Sequence, residues 1–161
     1  MYSIGDKIVY PMHGAGVIES IEKKDFQGKK QDYYIMRMPT GAMTVMLPAL
    51  TCDEIGVRYI IDKSEAIKVI EDFKVSVVES DGNWNKRHRD NLIKIRTGDI
   101  YQVANVVKEL MLREKQKGLS TSERKMLSSA KNIMISELVL CEFANELDIE
   151  NIINYIVEEL L

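Results

Sequence analysis

Tyr33-Tyr34-Ile35-Met36-Arg37-Met38-Pro39-Thr40-Gly41-Ala42-Met43-Thr44-Val45-Met46-Leu47-Pro48 marks the first half of the chain as β structure. Tyr33 to Met38 and Met43 to Leu47 are rich in strand formers. Between them Pro39-Thr40-Gly41-Ala42 makes a tight turn, and Pro48 ends the second run. Moving toward the N-terminus, Gln27-Gly28-Lys29-Lys30 is another turn and Val17 to Glu22 another strand. His13-Gly14-Ala15-Gly16 is a turn again. Lys7 to Tyr10 is the first strand, stopped by Pro11, which has no N–H for a ladder. Four short strands at this spacing predict a small antiparallel barrel. About 55 residues is marginal for independent stability, so contact with the rest of the chain is expected.

Moving the other way, the hydrophobic period changes from two to that of a helix. Ser64 is placed to cap a helix with Ile67, Val69, Ile70 and Phe73 as its apolar positions. Glu79-Ser80-Asp81-Gly82-Asn83 breaks the pattern. A second helix runs from about Trp84 to Thr97 and ends at Gly98. Asp99 caps a third, with Val103, Ala104, Val107, Leu110 and Met111 on one face. Gly118 closes it, and Ser120-Thr121-Ser122-Glu123 has the spacing of a capping box. The helix it opens carries the stripe Met126, Leu127, Ala130, Ile133, Met134, Leu138 and Cys141. Asp148 caps the last, with Ile149, Ile152, Ile153, Ile156, Val157 and Leu160. The expected division is a β domain over residues 1–58 and an all-α bundle over residues 59–161.

The 161 residues are 45% hydrophobic and 29% charged, a globular composition. No run of about 18 apolar residues exists, so no transmembrane helix and no membrane partner are expected. The N-terminus lacks the basic and apolar regions of a secretory signal, and a cytoplasmic location follows as an expectation. Cys52 and Cys141 stand in apolar surroundings, where reduced, buried thiols are expected. No phosphate-cradling glycine loop, dinucleotide fingerprint or nucleophile elbow is present. The two histidines, His13 and His88, and the two cysteines are not at zinc spacing. No catalytic residue, cofactor or metal is therefore expected, and His13 reads as a turn residue.

The net charge of −3 conceals an uneven distribution. Residues 84–131 hold twelve basic and five acidic side chains, a net of +7, and residues 132–161 hold seven acidic and no basic ones. A basic block inside an acidic protein is either a solvated helix face or the footprint of a nucleic-acid partner. Within it lies the sole tryptophan, in Asn83-Trp84-Asn85-Lys86-Arg87-His88-Arg89-Asp90-Asn91-Leu92-Ile93-Lys94-Ile95-Arg96. At ~100° per residue, Trp84, His88, Leu92 and Ile95 share one face. Lys86, Arg89 and Arg96 lie on the far side, with Arg87 and Lys94 at its other edge, so one edge of the helix is suited to a phosphate backbone. Trp84 either tops the apolar stripe and packs in the bundle, or stands exposed at the mouth of the basic patch to stack on a base or wedge into the minor groove.

Trp84-x-x-Arg87-x-x-x-Asn91-x-x-Lys94-x-x-x-Gly98-Asp99 followed by Leu119-Ser120-x-x-Glu123-x-x-Met126-Leu127-x-x-Ala130 resembles the C-terminal domain of the CarD/CdnL family of bacterial transcription regulators. Gly5-Asp6-x-Ile8-Val9-Tyr10-Pro11-x-His13-Gly14-x-Gly16, Thr44-Val45-x-Leu47-Pro48 and Gly56-Val57-Arg58 resemble the same family's polymerase-interacting domain. The resemblance runs from residue 1 to about residue 142, in order. It implies an α+β chain, in which a Tudor/SH3-like antiparallel barrel precedes a compact helical bundle. It implies that the barrel docks on the β subunit of RNA polymerase, at positions matching Lys24, Phe26, Val45 and Met46. Met46 departs from the arginine common there, which removes a charge-assisted contact. It implies that the helical domain meets promoter DNA in the minor groove at the upstream edge of the bubble and changes open-complex stability. Trp84 matches the family's wedge, and Lys86, Arg87, Arg89, Lys94 and Lys125 are the basic residues expected on the DNA. DNA binding is expected to be weak without polymerase, and the chain is expected to be a monomer. The barrel alone also occurs in the transcription-repair coupling factor, a translocase whose Walker motif is missing here. A protein adaptor with no DNA role is the alternative, and a buried Trp84 would favour it.

Overall fold

The computed structural model describes residues 1–41, 43–78 and 82–161. Ala42, and Glu79 to Asp81 of the expected polar break, lie outside the described residues. Five strands form one antiparallel sheet: β1 (Lys7–Tyr10), β2 (Gly14–Phe26), β3 (Lys29–Arg37), β4 (Thr44–Pro48) and β5 (Arg58–Tyr59). Their order is β4-β3-β2-β1-β5. The ladder is not closed on itself, so β4 and β5 are edges and the barrel is an open one. A 3-10 turn (Ala49–Thr51) and a short helix α1 (Cys52–Ile55) bridge β4 to β5. Helices α2 (Lys63–Val75), α3 (Trp84–Arg96), α4 (Ile100–Gln116), α5 (Thr121–Leu140) and α6 (Glu146–Glu159) follow.

The turns explain where strand ends depart from the sequence reading. Gln27 and Gly28 alone reverse the chain, with φ of 52° and 78°. Two successive positive φ values match the right-handed twist of a hairpin, so Lys29 and Lys30 are free to join the ladder opposite Phe26 and Asp25. The first turn starts two residues earlier than expected. Pro11 to His13 make it, and Gly14, Ala15 and Gly16 are already paired with Tyr10, Val9 and Ile8. Gly14 has another reason to be glycine. Its φ is 108°, and a Cβ there would stand 2.9 Å from the Ser136 hydroxyl of α5.

Two apolar clusters form the interior. Ile8, Ile18, Tyr34, Met36, Met38, Leu47, Cys52 and Val57 fill the sheet's concave side. The second lies among the helices, with Phe73, Val103, Val107, Leu110, Ala130, Met134, Leu138, Ile149 and Ile153 among its members. On α2 the buried positions are Ala66, Val69, Ile70 and Phe73, and Ile67 is half exposed, contrary to expectation. The cap of α2 is Asp62 rather than Ser64: its carboxylate accepts the Glu65 N–H at 2.8 Å and the Ser64 hydroxyl at 3.0 Å. Asn145, not Asp148, caps α6, and the Asp148 N–H is what it receives. Cys52 is buried but Cys141 only half-buried, and burial pushes both thiols up.

Polar groups tie the helices together. Tyr101 donates to Glu65 at 2.6 Å, a bond that pushes its hydroxyl up to about 12. Buried Lys108 donates to the Ser76 carbonyl and closes the C-terminal end of α2. The acidic last helix pairs Glu158 with Lys115 and Glu150 with Lys131, so part of the basic block is answered within the molecule.

The sheet is fastened to α5. Ala15 N–H donates to Ser136 Oγ at 2.9 Å, and Lys7 Nζ to the Leu140 carbonyl at 3.1 Å. Arg58 reaches across with both ends of its fork, at 2.7 and 2.8 Å, to the Glu137 carboxylate. The same guanidinium donates to the Gly98 carbonyl, and Glu137 also accepts the Ile61 N–H at 2.9 Å. The small sheet thus borrows stability from the bundle.

Candidate nucleic-acid and polymerase interfaces

Asn83 caps α3 through a 3.2 Å bond from the Lys86 N–H, which places Trp84 at the first helical position. Trp84 is 39% exposed and belongs to neither core cluster. One face of its ring stacks on His88, with centroids 4.9 Å apart and planes 14° from parallel. Its Nε1–H donates to Ser120 Oγ at 3.3 Å. Trp84 is thus partly exposed rather than packed in the bundle core.

The helix is turned further than the wheel suggested. Its buried residues are Arg87, Asn91 and Ile95, with His88 and Leu92 only half-covered. Arg87 therefore does not stand on a solvent-facing basic edge. Only 3% of its surface is exposed, and its Nε–H donates to Glu123 Oε2 at 3.0 Å. The reason is electrostatic: Glu123 is buried on α5, and a buried carboxylate needs a partner. Burial by itself would raise that carboxyl. The Arg87 hydrogen bond and charge, with the Ser120 backbone N–H, outweigh it and hold Glu123 below its ordinary range. Lys94 is also engaged, donating to Asn105 of α4 at 2.8 Å. Lys86 is exposed and pairs with Asp90 one turn on, at 3.5 Å. Arg89 and Lys125 are exposed, with no ion pair to another described residue. The free end of α3 and the start of α5 thus carry one tryptophan and the cations Lys86, Arg89 and Lys125, with Arg87 beneath them.

On the sheet, alternation sorts the four expected contact residues. Past a bulge between Ile18 and Ser20, Lys24 stands opposite Gln31 and Phe26 opposite Lys29, while Met46 of β4 stands opposite Ile35. These residues share the outer face with Ser20, Glu22 and Tyr33. Phe26 is 58% and Met46 47% exposed, and Lys24 lies 3.4 Å from Glu22. Lys24 and Met46 are separated by about 13 Å along the strands at ~3.3 Å per residue. Val45 faces the other way and packs on the sheet's core, so it is not part of that surface.

Residues 68–154 match the family model of the CarD C-terminal domain, and residues 2–61 match that of the CarD-like/TRCF RID domain. The chain belongs to the CarD family. It is 40% identical over 151 residues to the "Putative transcription factor YdeB" of Bacillus subtilis (strain 168), across 94% of this chain and 99% of that protein. A solution NMR structure of the 72-residue N-terminal domain of Myxococcus xanthus CarD is 32% identical. It covers 37% of this chain and 79% of that one, at a TM-score of 0.33. Family membership carries transcription regulation and interaction with RNA polymerase. Among the described residues no helix is long and apolar enough to cross a membrane.

Four residues of these surfaces escaped the sequence reading: Ser120 as a partner of Trp84, Glu123 as a partner of Arg87, and the Arg58–Glu137 pair. Ser120 and Glu123 were legible as a capping box, and that is what they are: Ser120 Oγ accepts the Glu123 N–H at 3.2 Å. Their tertiary partners lie 36 residues away, beyond any local pattern.

Proposed function

We propose that this chain docks its sheet on the β subunit of RNA polymerase and presents Trp84 to promoter DNA at the upstream edge of the bubble, stabilising the melted state. Residues 1–58 form the docking unit and residues 59–161 the DNA-facing one, acting as a monomer in the cytoplasm wherever polymerase is bound. Lys24, Phe26 and Met46 make the docking surface, and the open edge of β4 adds unpaired main-chain groups beside it. Lys86, Arg89 and Lys125 meet phosphates on either side of the tryptophan. Lys94 stands at the margin, held toward α4. Arg87 serves from inside, fixing α3 on α5.

The observation that carries this reading is the position of Trp84: a large aromatic ring at a helix start, outside both cores, beside exposed cations. The 39% of it left in water is apolar area whose exposure gives the fold nothing. Aromatic stacking on a base contributes about 1–3 kcal/mol. At a bubble edge the step is already distorted, so the wedge avoids most of the few kcal/mol of unstacking. If only melted DNA offers the site, about 1.4 kcal/mol shifts the closed-to-open equilibrium roughly tenfold. Three phosphate-facing cations alone give weak binding, with log K falling by about 2.7 per tenfold rise in salt. Docking on polymerase raises the effective concentration of the wedge.

The test is open-complex lifetime on a promoter with polymerase and the full chain. Trp84→Ala is expected to keep polymerase binding and shorten the lifetime. Polymerase binding with a lifetime indifferent to Trp84 would leave an adaptor without a DNA role.

A further inference from the structure

On the wedge reading above, we propose that Ser120 is the residue that positions Trp84 for DNA, through one hydroxyl shared between the indole and the cap of α5. A hydroxyl has one donor and two acceptor sites. Ser120 fills all three. It accepts the Glu123 N–H at 3.2 Å, accepts the Trp84 Nε1–H at 3.3 Å, and donates to Glu123 Oε1 at 3.4 Å. The oxygen has little freedom of its own, because the first turn of α5 sets it. That turn is held in turn by Glu123, which is buried and bonded to Arg87 of α3.

His88 supplies a second constraint in a different direction. Its ring lies four residues on along the same helix and stacks on the indole at 4.9 Å. The stack fixes the plane of the indole, and the hydrogen bond fixes its rotation within that plane. Together they determine both side-chain torsions of an exposed tryptophan, which otherwise samples several rotamers. A wedge held in its docking orientation before it meets DNA loses less freedom on insertion, which is preorganisation. Ser120 is thus a positioning residue, and the wedge extends over two helices rather than one.

The chain's single tryptophan is its own reporter. Fluorescence anisotropy and acrylamide quenching of Trp84 are measured on the full chain, with open-complex lifetimes alongside, for Ser120→Gly and Ser120→Thr. Glycine is nearly as good a cap as serine, so Ser120→Gly removes the hydroxyl with little harm to α5, checked by the melting transition. Threonine keeps the oxygen. Ser120→Gly is expected to raise quenching, lower anisotropy and shorten the chain-dependent lifetime about two- to tenfold, and Ser120→Thr to restore all three. Unchanged quenching and anisotropy in Ser120→Gly would overturn the proposal. So would a freed indole with an undiminished lifetime while Trp84→Ala shortens it. A Trp84→Ala chain that behaves as wild type would instead remove the wedge itself, and the role of Ser120 with it.

Discussion

The two ends of α5 each carry a buried glutamate that meets an arginine from far along the chain, and the two pairs differ in what they join. At the C-terminal end, Glu137 meets Arg58, a residue 79 positions away, with two short bonds of 2.7 and 2.8 Å. At the N-terminal end, Glu123 meets Arg87 with one bond of 3.0 Å and a longer one of 3.4 Å. Arg58 is 32% exposed in its side chain, whereas Arg87 is 3% exposed. The first pair sits at a rim and joins the sheet to the helices. The second lies within the bundle and holds α3 under Trp84. A helix of 20 residues is about 30 Å long. One rod therefore links the sheet to the helix end that carries Trp84, with an ion pair near each end.

Removing one partner of the deeper pair has the largest expected effect. Arg87→Ala leaves the Glu123 carboxylate buried without its main cation, and stability in denaturant is expected to fall by about 3–5 kcal/mol. Arg58→Ala comes next, at about 2–3 kcal/mol, since water reaches that pair. Its more telling consequence is functional. The Ala15–Ser136 and Lys7–Leu140 bonds keep the sheet on α5, so the fold and polymerase binding are expected to persist, and on the proposed function the lengthening of the open complex is expected to weaken as one of the ties is lost. An effect on stability equal to that of Arg87→Ala, with coupling intact, would erase the distinction between the two ends. Gly14→Ala drives a methyl group against Ser136 at a left-handed φ, and about 1–3 kcal/mol of destabilisation is expected in thermal melts.

The smallest and most diagnostic effect is on pH. Glu123 has a folded-state pKa below its ordinary value of 4.5, because Arg87 outweighs burial. Such a group contributes its full stability above the ordinary value and loses it as pH falls through the lower, folded value. The stability difference between wild type and Glu123→Gln is thus expected to shrink steadily as pH is lowered from about 5. A difference that stays constant there would show that the pair is not ionised in the fold.

The parts legible in the sequence were the local ones. Gly98 and Gly118 end α3 and α4 at positive φ, and Asp99 and Ser120 cap the helices that follow, because each of these features depends on neighbours within four residues. Where two residues can serve locally the sequence does not choose between them, and at α2 Asp62 caps in place of Ser64. Arg87 failed for a different reason. A wheel places charges outward by default, and the buried Glu123 of a distant helix draws this one inward. Val45 was recoverable without a structure: it adjoins Met46 in a strand, and neighbours in a strand cannot share a face. Trp84 stayed undecided in the sequence because a helix start permits both burial and exposure. Trp84 shares the buried face of α3 with Asn91 and Ile95, and it is exposed because it stands at the first helical position, outside both core clusters.

On the proposed function, Trp84 touches melted promoter DNA while the sheet holds polymerase. The most direct measurement places 2-aminopurine at the upstream edge of the bubble and follows its fluorescence in open complexes with the full chain. The expected result is quenching on addition of wild type that is lost with Trp84→Ala, with both proteins bound to polymerase. Equal quenching by the two, or none by either, would contradict the account.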